Sequence, residues 1–299
     1  MTADALSSAV PQSRPLVAFA WILGATASFA LMAVAGRQIQ TEMNTFELML
    51  YRSGIGFVIV ATIIRLKSGG FAQVRTTHPW EHARRNVIHF TGQNLWFYAI
   101  AAIPLGQLVA LEFTNPLWVA LLAPLMLSES LTRRRLLAAL IGFAGVLVVA
   151  RPGTSALEIG HGAALGAALL FALTNIMTKK IMRDDSVLCI IFWMSLSQTA
   201  MALILSLPGG IPPPTSEMAP WLLAVGICGL TAHFSLSSAL GAAPAIIVAP
   251  MEFIRLPVFV VMGALIYGEE LHVAVLIGAL MIIGGNLLNL RGETRRVPA

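Results

Sequence analysis

Charge is what this chain has least of. Only 11% of its 299 residues are Asp, Glu, Lys or Arg, against roughly 25% in a soluble domain. With 57% hydrophobic residues beside that figure, the composition is that of a membrane protein and excludes a separate soluble catalytic domain. Cysteine is nearly absent: Cys189 and Cys228 both fall inside apolar runs, so no disulfide framework is expected and each reads as a buried free thiol. No glycine-rich G-x-x-x-x-G-K loop occurs, which argues against direct ATP drive. No cofactor is expected.

What the chain has instead is a series of apolar runs close to the ~20 residues that cross a bilayer. They lie at about 16–36, 46–65, 84–103, 105–127, 134–150, 161–181, 186–207, 219–239, 244–266 and 271–290. The first is long and is followed by Arg37 rather than a small-residue cleavage site, so it reads as a retained helix. With ten spans and the N-terminus inside, 15 Lys and Arg residues fall on the inner side and two, Arg37 and Arg151, on the outer. That bias predicts a bacterial inner-membrane protein with both tails, 1–15 and 292–299, in the cytoplasm. The basic pI then reports topology, and nucleic-acid binding is not expected.

Shifted by 140 residues, the chain matches itself: ten identities relate residues 111–148 to 251–288, among them Glu112 with Glu252 and Glu129 with Glu269. Five spans per copy is an odd number, so the copies, 16–151 and 161–291, must enter the membrane from opposite sides. Such inverted repeats are a construction of secondary transporters.

The ends of the two copies, PLWVALLAPLMLSESLTRRRLLAALIGFAGVLVV and PVFVVMGALIYGEELHVAVLIGALMIIGGNLL, together with FELMLYRSGIGF around Arg52, resemble the drug/metabolite transporter superfamily in its ten-helix branch with two EamA domains. The resemblance covers nearly the whole chain. It implies an all-α integral membrane fold of ten transmembrane helices in two inverted five-helix repeats, a central cavity, and movement of a small organic metabolite, often export of amino acids. Small multidrug relatives carry an essential glutamate in the first helix, whereas residues 16–36 contain no acid.

Glu112 stands about eight residues into its run, near the bilayer midplane, where a charge costs about 2.5 to 3.5 kcal/mol and must face protein or water. Asn115 and Val119 fall on its helix face at i+3 and i+7, so Glu112 and Asn115 can point into one cavity. Glu252, the repeat mate, has Arg255 one turn on, between Pro250 and Pro257; that spacing permits either a local ion pair or capture of a zwitterionic substrate. In the third run His89, Gln93 and Trp96 form a stripe, with Tyr98 read as an interfacial anchor. The candidate substrate-binding residues are therefore Glu112, Asn115, Trp96, His89, Gln93, Glu252 and Arg255, with Glu112 and Glu252 as candidates for proton coupling. Asn175 and His233 read as interhelical hydrogen-bonding groups. Arg52 reads as a residue snorkelling outward to Glu47 or Glu42, and Glu129 and Glu269 as caps of the helices that follow them. Glycine pairs 142/145 and 162/166 offer close helix contacts.

HPWEH, residues 78–82, matches the H-x-x-E-H zinc pattern, but Pro79 interrupts it in a short loop and no metal site is expected. The leading expectation is an alternating-access exporter of amino acids, aromatic or other large neutral ones in view of Trp96, Tyr98, Phe113 and Trp118. The alternative is a carrier of a nucleoside-like or methyl-donor metabolite or a drug. A channel or an intramembrane enzyme is the reading from another class; no nucleophile and base stand together in the spans.

Overall fold

A computed structural model describes residues 14–127, 133–150, 158–243, 248 and 251–294. Glu129, Arg151, Pro244, Pro250 and most of both tails lie outside the described residues. The chain is helical, and no strand occurs among the described residues. Its helices are α1 Pro15–Ile39, α2 Thr45–Leu66, α3 Pro79–Ala102, α4 Leu105–Glu112, α5 Asn115–Leu127, α6 Arg133–Ala150, α7 Ile159–Ile181, α8 Val187–Ser206 and α9 Ala219–Ala242, followed by α10 Arg255–Tyr267 and α11 Val273–Thr294. Six helical stretches among the described residues are long and apolar enough to cross a membrane. Large apolar side chains such as Leu16, Leu66, Leu147, Leu265 and Leu280 cover the outside, a surface suited to hydrocarbon and not to water.

Local chemistry sets the helix starts. Pro15 and Pro79 open α1 and α3 at the position where a missing N–H costs nothing. Asn44 caps α2 in a reciprocal box: its side chain accepts from the N–H groups of Phe46 and Glu47, and the Glu47 carboxylate accepts from Asn44 N–H at 2.8 Å.

The run 105–127, expected as one helix, is two. Pro116 has no N–H to give the Glu112 carbonyl, and Leu117 N–H turns to Thr114 O at 2.9 Å instead of continuing the ladder. The carbonyl of Phe113 is thereby freed and takes a 2.8 Å hydrogen bond from the Asn286 side-chain amide on α11. The ninth run breaks at the equivalent place. Glu252–Ile254 is a 3-10 turn, and Pro257 withholds the donor that Phe253 O would use.

The closest partnerships are α1 with α9, α3 with α7, α2 with α8, and α6 with α11. Of the expected glycine contacts, Gly145 lies against the α11 backbone, whereas Gly162 faces open space. Gly278 and Gly285 on α11, not anticipated, complete the α6–α11 seam.

At one end of the bundle, the turn after α7 holds the α2–α3 linker. Asp185 Oδ2 accepts from Thr76 Oγ1 at 2.6 Å and from His82 Nε2 at 2.8 Å, and His78 pairs with Asp184 at 3.3 Å. Glu81 is exposed and outside this cluster, so HPWEH is a linker anchor in which the histidines serve the two aspartates. Burial alone would raise the Asp185 carboxyl. The hydrogen bonds from Thr76 and His82, with the nearby charges of His82 and His78, outweigh it and hold the group below its usual 3.8. A carboxyl depressed in the folded chain adds stability that is present above its unfolded value and is lost as pH falls through the folded one. The unfolding midpoint of the native chain is therefore expected to exceed that of Asp185→Asn at neutral pH, with the gap closing below about pH 3.8. A gap unchanged at acid pH would show that the carboxylate is not the anchor.

Candidate substrate site

Glu112 is the last residue of α4 and Arg255 the first of α10, so both sit where a helix is interrupted. Arg255 Nη2 donates to Glu112 Oε1 at 2.8 Å, and Trp96 Nε1 donates to Glu112 Oε2 at 2.9 Å. The pair is enclosed, with side chains 8% and 13% exposed for Arg255 and Glu112. Aromatic rings form the wall. The Arg255 guanidinium lies 4.8 Å from the centre of Phe29 and 5.2 Å from that of Phe113, distances at which the ring face attracts a cation. Phe253 meets Phe113 edge-on at 5.1 Å.

Each Glu112 oxygen thus has one donor, and Trp96→Phe removes one of them while keeping an aromatic body. An unsatisfied buried acceptor costs about 1–3 kcal/mol, so this variant is expected to lower the unfolding midpoint measurably in detergent, by more than Tyr98→Phe at a side chain that is 42% exposed.

A second polar group adjoins the first. Arg85, His89 and Gln93 lie at four-residue steps along α3, and Arg52 from α2 donates to Gln93 Oε1 at 3.3 Å. His89 lies between Phe171 at 5.6 Å and His233 at 6.1 Å, its ring tilted against both. His233 in turn reaches Phe29 at 6.3 Å, the ring that also faces Arg255. Phe29 therefore bridges the two groups.

Several expectations need correction. Arg255 takes its carboxylate from Glu112, across 143 residues, and not from Glu252; the 3-10 turn keeps Glu252 on the same side as Arg255, but Glu112, at the end of α4, makes the 2.8 Å bond. Glu252 stays half-buried and has no hydrogen-bond partner among the described residues. Asn115 does not share a face with Glu112. The turn at Phe113–Thr114 redirects it to α7, where its amide donates to Ala168 O at 3.0 Å and its oxygen accepts from Asn175 at 3.3 Å. Trp118 packs edge-on against Phe143 at 4.7 Å. His233 contributes ring contacts with Phe29 and His89 and makes no interhelical hydrogen bond among the described residues. Arg52 points inward and is 5% exposed, because Glu47 is already committed to the α2 cap.

Glu269 caps not the helix that follows it but α4, accepting from Leu105 N–H at 2.8 Å. It also pairs with Arg37 Nη1 at 2.6 Å. Arg37 further donates to Ile100 O at 2.7 Å and Ile103 O at 2.8 Å, tying α1, the end of α3 and the α10–α11 turn together. In the sequence Arg37 was only an outer charge; no local signal points across 232 residues to Glu269.

The EamA-like transporter family model matches residues 16–151 and again 158–291. The chain belongs to that family. This EamA-like transporter is 30% identical to a riboflavin transporter of Rhizobium johnstonii over 97% of its own length and 96% of the relative's. It is 27% identical to a riboflavin transporter of Brucella anthropi, with 91% and 98% covered. An S-adenosylmethionine uptake transporter of Rickettsia prowazekii is 23% identical, with 92% of each chain covered. A solved crystal structure of 18% identity superposes with a TM-score of 0.63, covering 94% of this chain and 98% of the other, which shows a shared fold. The family indicates a transporter, not an enzyme. These relatives are named for riboflavin and S-adenosylmethionine, and they lend no support to the expectation of amino-acid export.

Proposed function

We propose that this EamA-like transporter is a secondary carrier that takes up a nucleoside-like heteroaromatic metabolite, riboflavin in the first instance, across the bacterial inner membrane by alternating access. The observation that carries the reading is the Glu112–Arg255 pair inside walls of Phe29, Trp96, Phe113 and Phe253. A flat fused ring has faces to stack on these aromatics. The imide edge of a flavin offers one N–H and two carbonyl oxygens, which a carboxylate beside a guanidinium complements. Cargo must part the pair to use it, so binding and opening are linked in one event.

Two inverted repeats over 16–151 and 161–291, giving ten spans with cytoplasmic ends, agree with the helix partnerships: exchange of the halves turns α1 against α9 into α7 against α3 and leaves α2–α8 and α6–α11 unchanged. Interrupted helices in equivalent positions are the usual setting of a transporter's binding site. The Arg37–Glu269 tie then closes the outer end, and Glu252, without a partner among the described residues, is the carboxylate free to carry a proton. The Rickettsia relative and the two site carboxylates favour S-adenosylmethionine, a sulfonium cation, as the second reading.

Proteoliposomes supplied with labelled riboflavin, S-adenosylmethionine and aromatic amino acids, with and without a pH gradient, test cargo and coupling together. Saturable riboflavin uptake competed by excess flavin is expected. Saturable amino-acid flux with no riboflavin uptake would overturn the reading.

A further inference from the structure

Four arginines of the described chain have low exposure and specific contacts, and they divide into two kinds. Arg37 and Arg255 each meet a carboxylate, at 2.6 Å and 2.8 Å. Arg52 and Arg85, 5% and 6% exposed, meet none among the described residues. Arg52 has Gln93 Oε1 at 3.3 Å, while its Nε is buried and unsatisfied. Arg85 has the Thr178 hydroxyl at 3.0 Å and Asn86 Oδ1 at 3.1 Å. Neutral acceptors replace part of the lost hydration of a guanidinium and none of its charge, so among the described residues two buried cations remain uncompensated.

Polar atoms between them are left without partners. His89 lies midway along the α3 stripe, roughly 6 Å along the axis from each of Arg85 and Gln93 at 1.5 Å per residue. It is buried, and both of its ring nitrogens lack a partner. On the α9 side, a Cβ placed on Gly229 would come within 2.8 Å of Arg52 Nη2, so the missing side chain leaves the room that the guanidinium fills. No carboxylate stands in this group to compete for it.

We propose that Arg52, Arg85, His89 and Gln93 form an anion subsite of the transport path, which takes a carboxylate, a phosphate or an inorganic anion. Arg52 and Arg85, near opposite ends of the α3 stripe, are its two stations, and Phe29 and His233 connect them to the Glu112–Arg255 pair. The anionic group is either part of the cargo or a free anion that accompanies a neutral one. This extends the carrier reading above but does not require that riboflavin be the cargo.

The test uses the purified full chain in detergent without riboflavin. Its unfolding midpoint is followed in a zwitterionic buffer as sodium chloride, sodium phosphate or sodium gluconate is added in parallel series of equal ionic strength, and separately as S-adenosylmethionine or its decarboxylated analogue is added. A saturable rise with chloride or phosphate in the native chain, lost in Arg52→Gln and Arg85→Gln and retained at several-fold weaker affinity in Arg52→Lys, identifies a free anion. A rise only with S-adenosylmethionine, at least tenfold tighter than with the decarboxylated analogue and levelled by Arg52→Gln, identifies an anion belonging to the cargo. If Arg52→Gln fails to fold, Arg52→Lys and Gly229→Ala, which crowds the guanidinium, carry the comparison and are expected to weaken the anion response several-fold. Equal responses in native and substituted chains, or none to any of these anions, would overturn the subsite. Riboflavin flux is measured apart, so loss of the flavin reading leaves this result standing.

Discussion

Arg255→Gln is expected to abolish saturable flux and to lower stability sharply, whereas Glu112→Gln combined with Arg255→Gln is expected to regain most of the stability and none of the transport. The pair is enclosed, at 8% and 13% exposure. Breaking such a pair from one side leaves an uncompensated charge and costs about 3–5 kcal/mol, while replacing both partners is close to neutral. In the single variant Glu112 retains the Trp96 donor and loses the guanidinium. In the double variant two amides can hydrogen-bond each other, but neither supplies the charge that cargo meets. Unfolding in detergent measures the first effect and proteoliposome flux the second. A double variant as unstable as the single one would mean that the two side chains are not energetically coupled, and normal flux in either would return them to structural duty.

The second large effect is expected at the α6–α11 seam. A Cβ on Gly145 would lie 2.6 Å from Gly278 O and 3.0 Å from Met281 Cβ, and a Cβ on Gly278 would lie 2.6 Å from Gly145 O. Farther along, a Cβ on Gly285 would meet Ala138 O at 2.6 Å. The carbonyl oxygens are backbone and Met281 Cβ is fixed to it, so neither can rotate away and Gly145→Ala must push two whole helices apart. Overpacking of this kind costs about 1–3 kcal/mol, and Gly145→Val should exceed that or prevent folding. Gly162→Ala is the control. Nothing lies within 4 Å of its Cβ position, and alanine in place of a helical glycine favours the helix by about 0.5–1 kcal/mol. Thermal unfolding of the three variants checks the order; a harmless Gly145→Ala would mean the seam is looser than its geometry.

Legibility from sequence followed the range of each interaction. Glu112, Arg255 and Trp96 stood out because an ionisable or polar group deep in an apolar run must face protein or water, and depth is a one-dimensional property. Their partners are not legible in the same way, because proximity along a helix is not proximity in space. Glu252 and Arg255 stay one turn apart through the 3-10 turn, yet the guanidinium meets Glu112 from a segment far away in the chain. Pro116 and Pro257 are visible signals of the helix breaks beside them, and the missing Pro116 donor is what separates Asn115 from Glu112. Arg52 was misplaced for a different reason: the local acid invoked to draw it outward was already holding the α2 cap. Arg37, Phe29 and Glu269 gave no local sign, since their contacts join segments far apart in the chain.

From sequence alone came the membrane class, the family resemblance, the transporter reading and the depth of the acidic residues, because hydropathy and charge act residue by residue against a slab of fixed thickness. Tertiary structure decided that Glu112 pairs with Arg255, that Arg37 ties three segments through Glu269, and that Arg52 and Arg85 are buried without a carboxylate among the described residues. The first outcome depends on how the chain turns at Phe113–Thr114 and Glu252–Ile254, the others on which helix faces meet, and packing alone sets that.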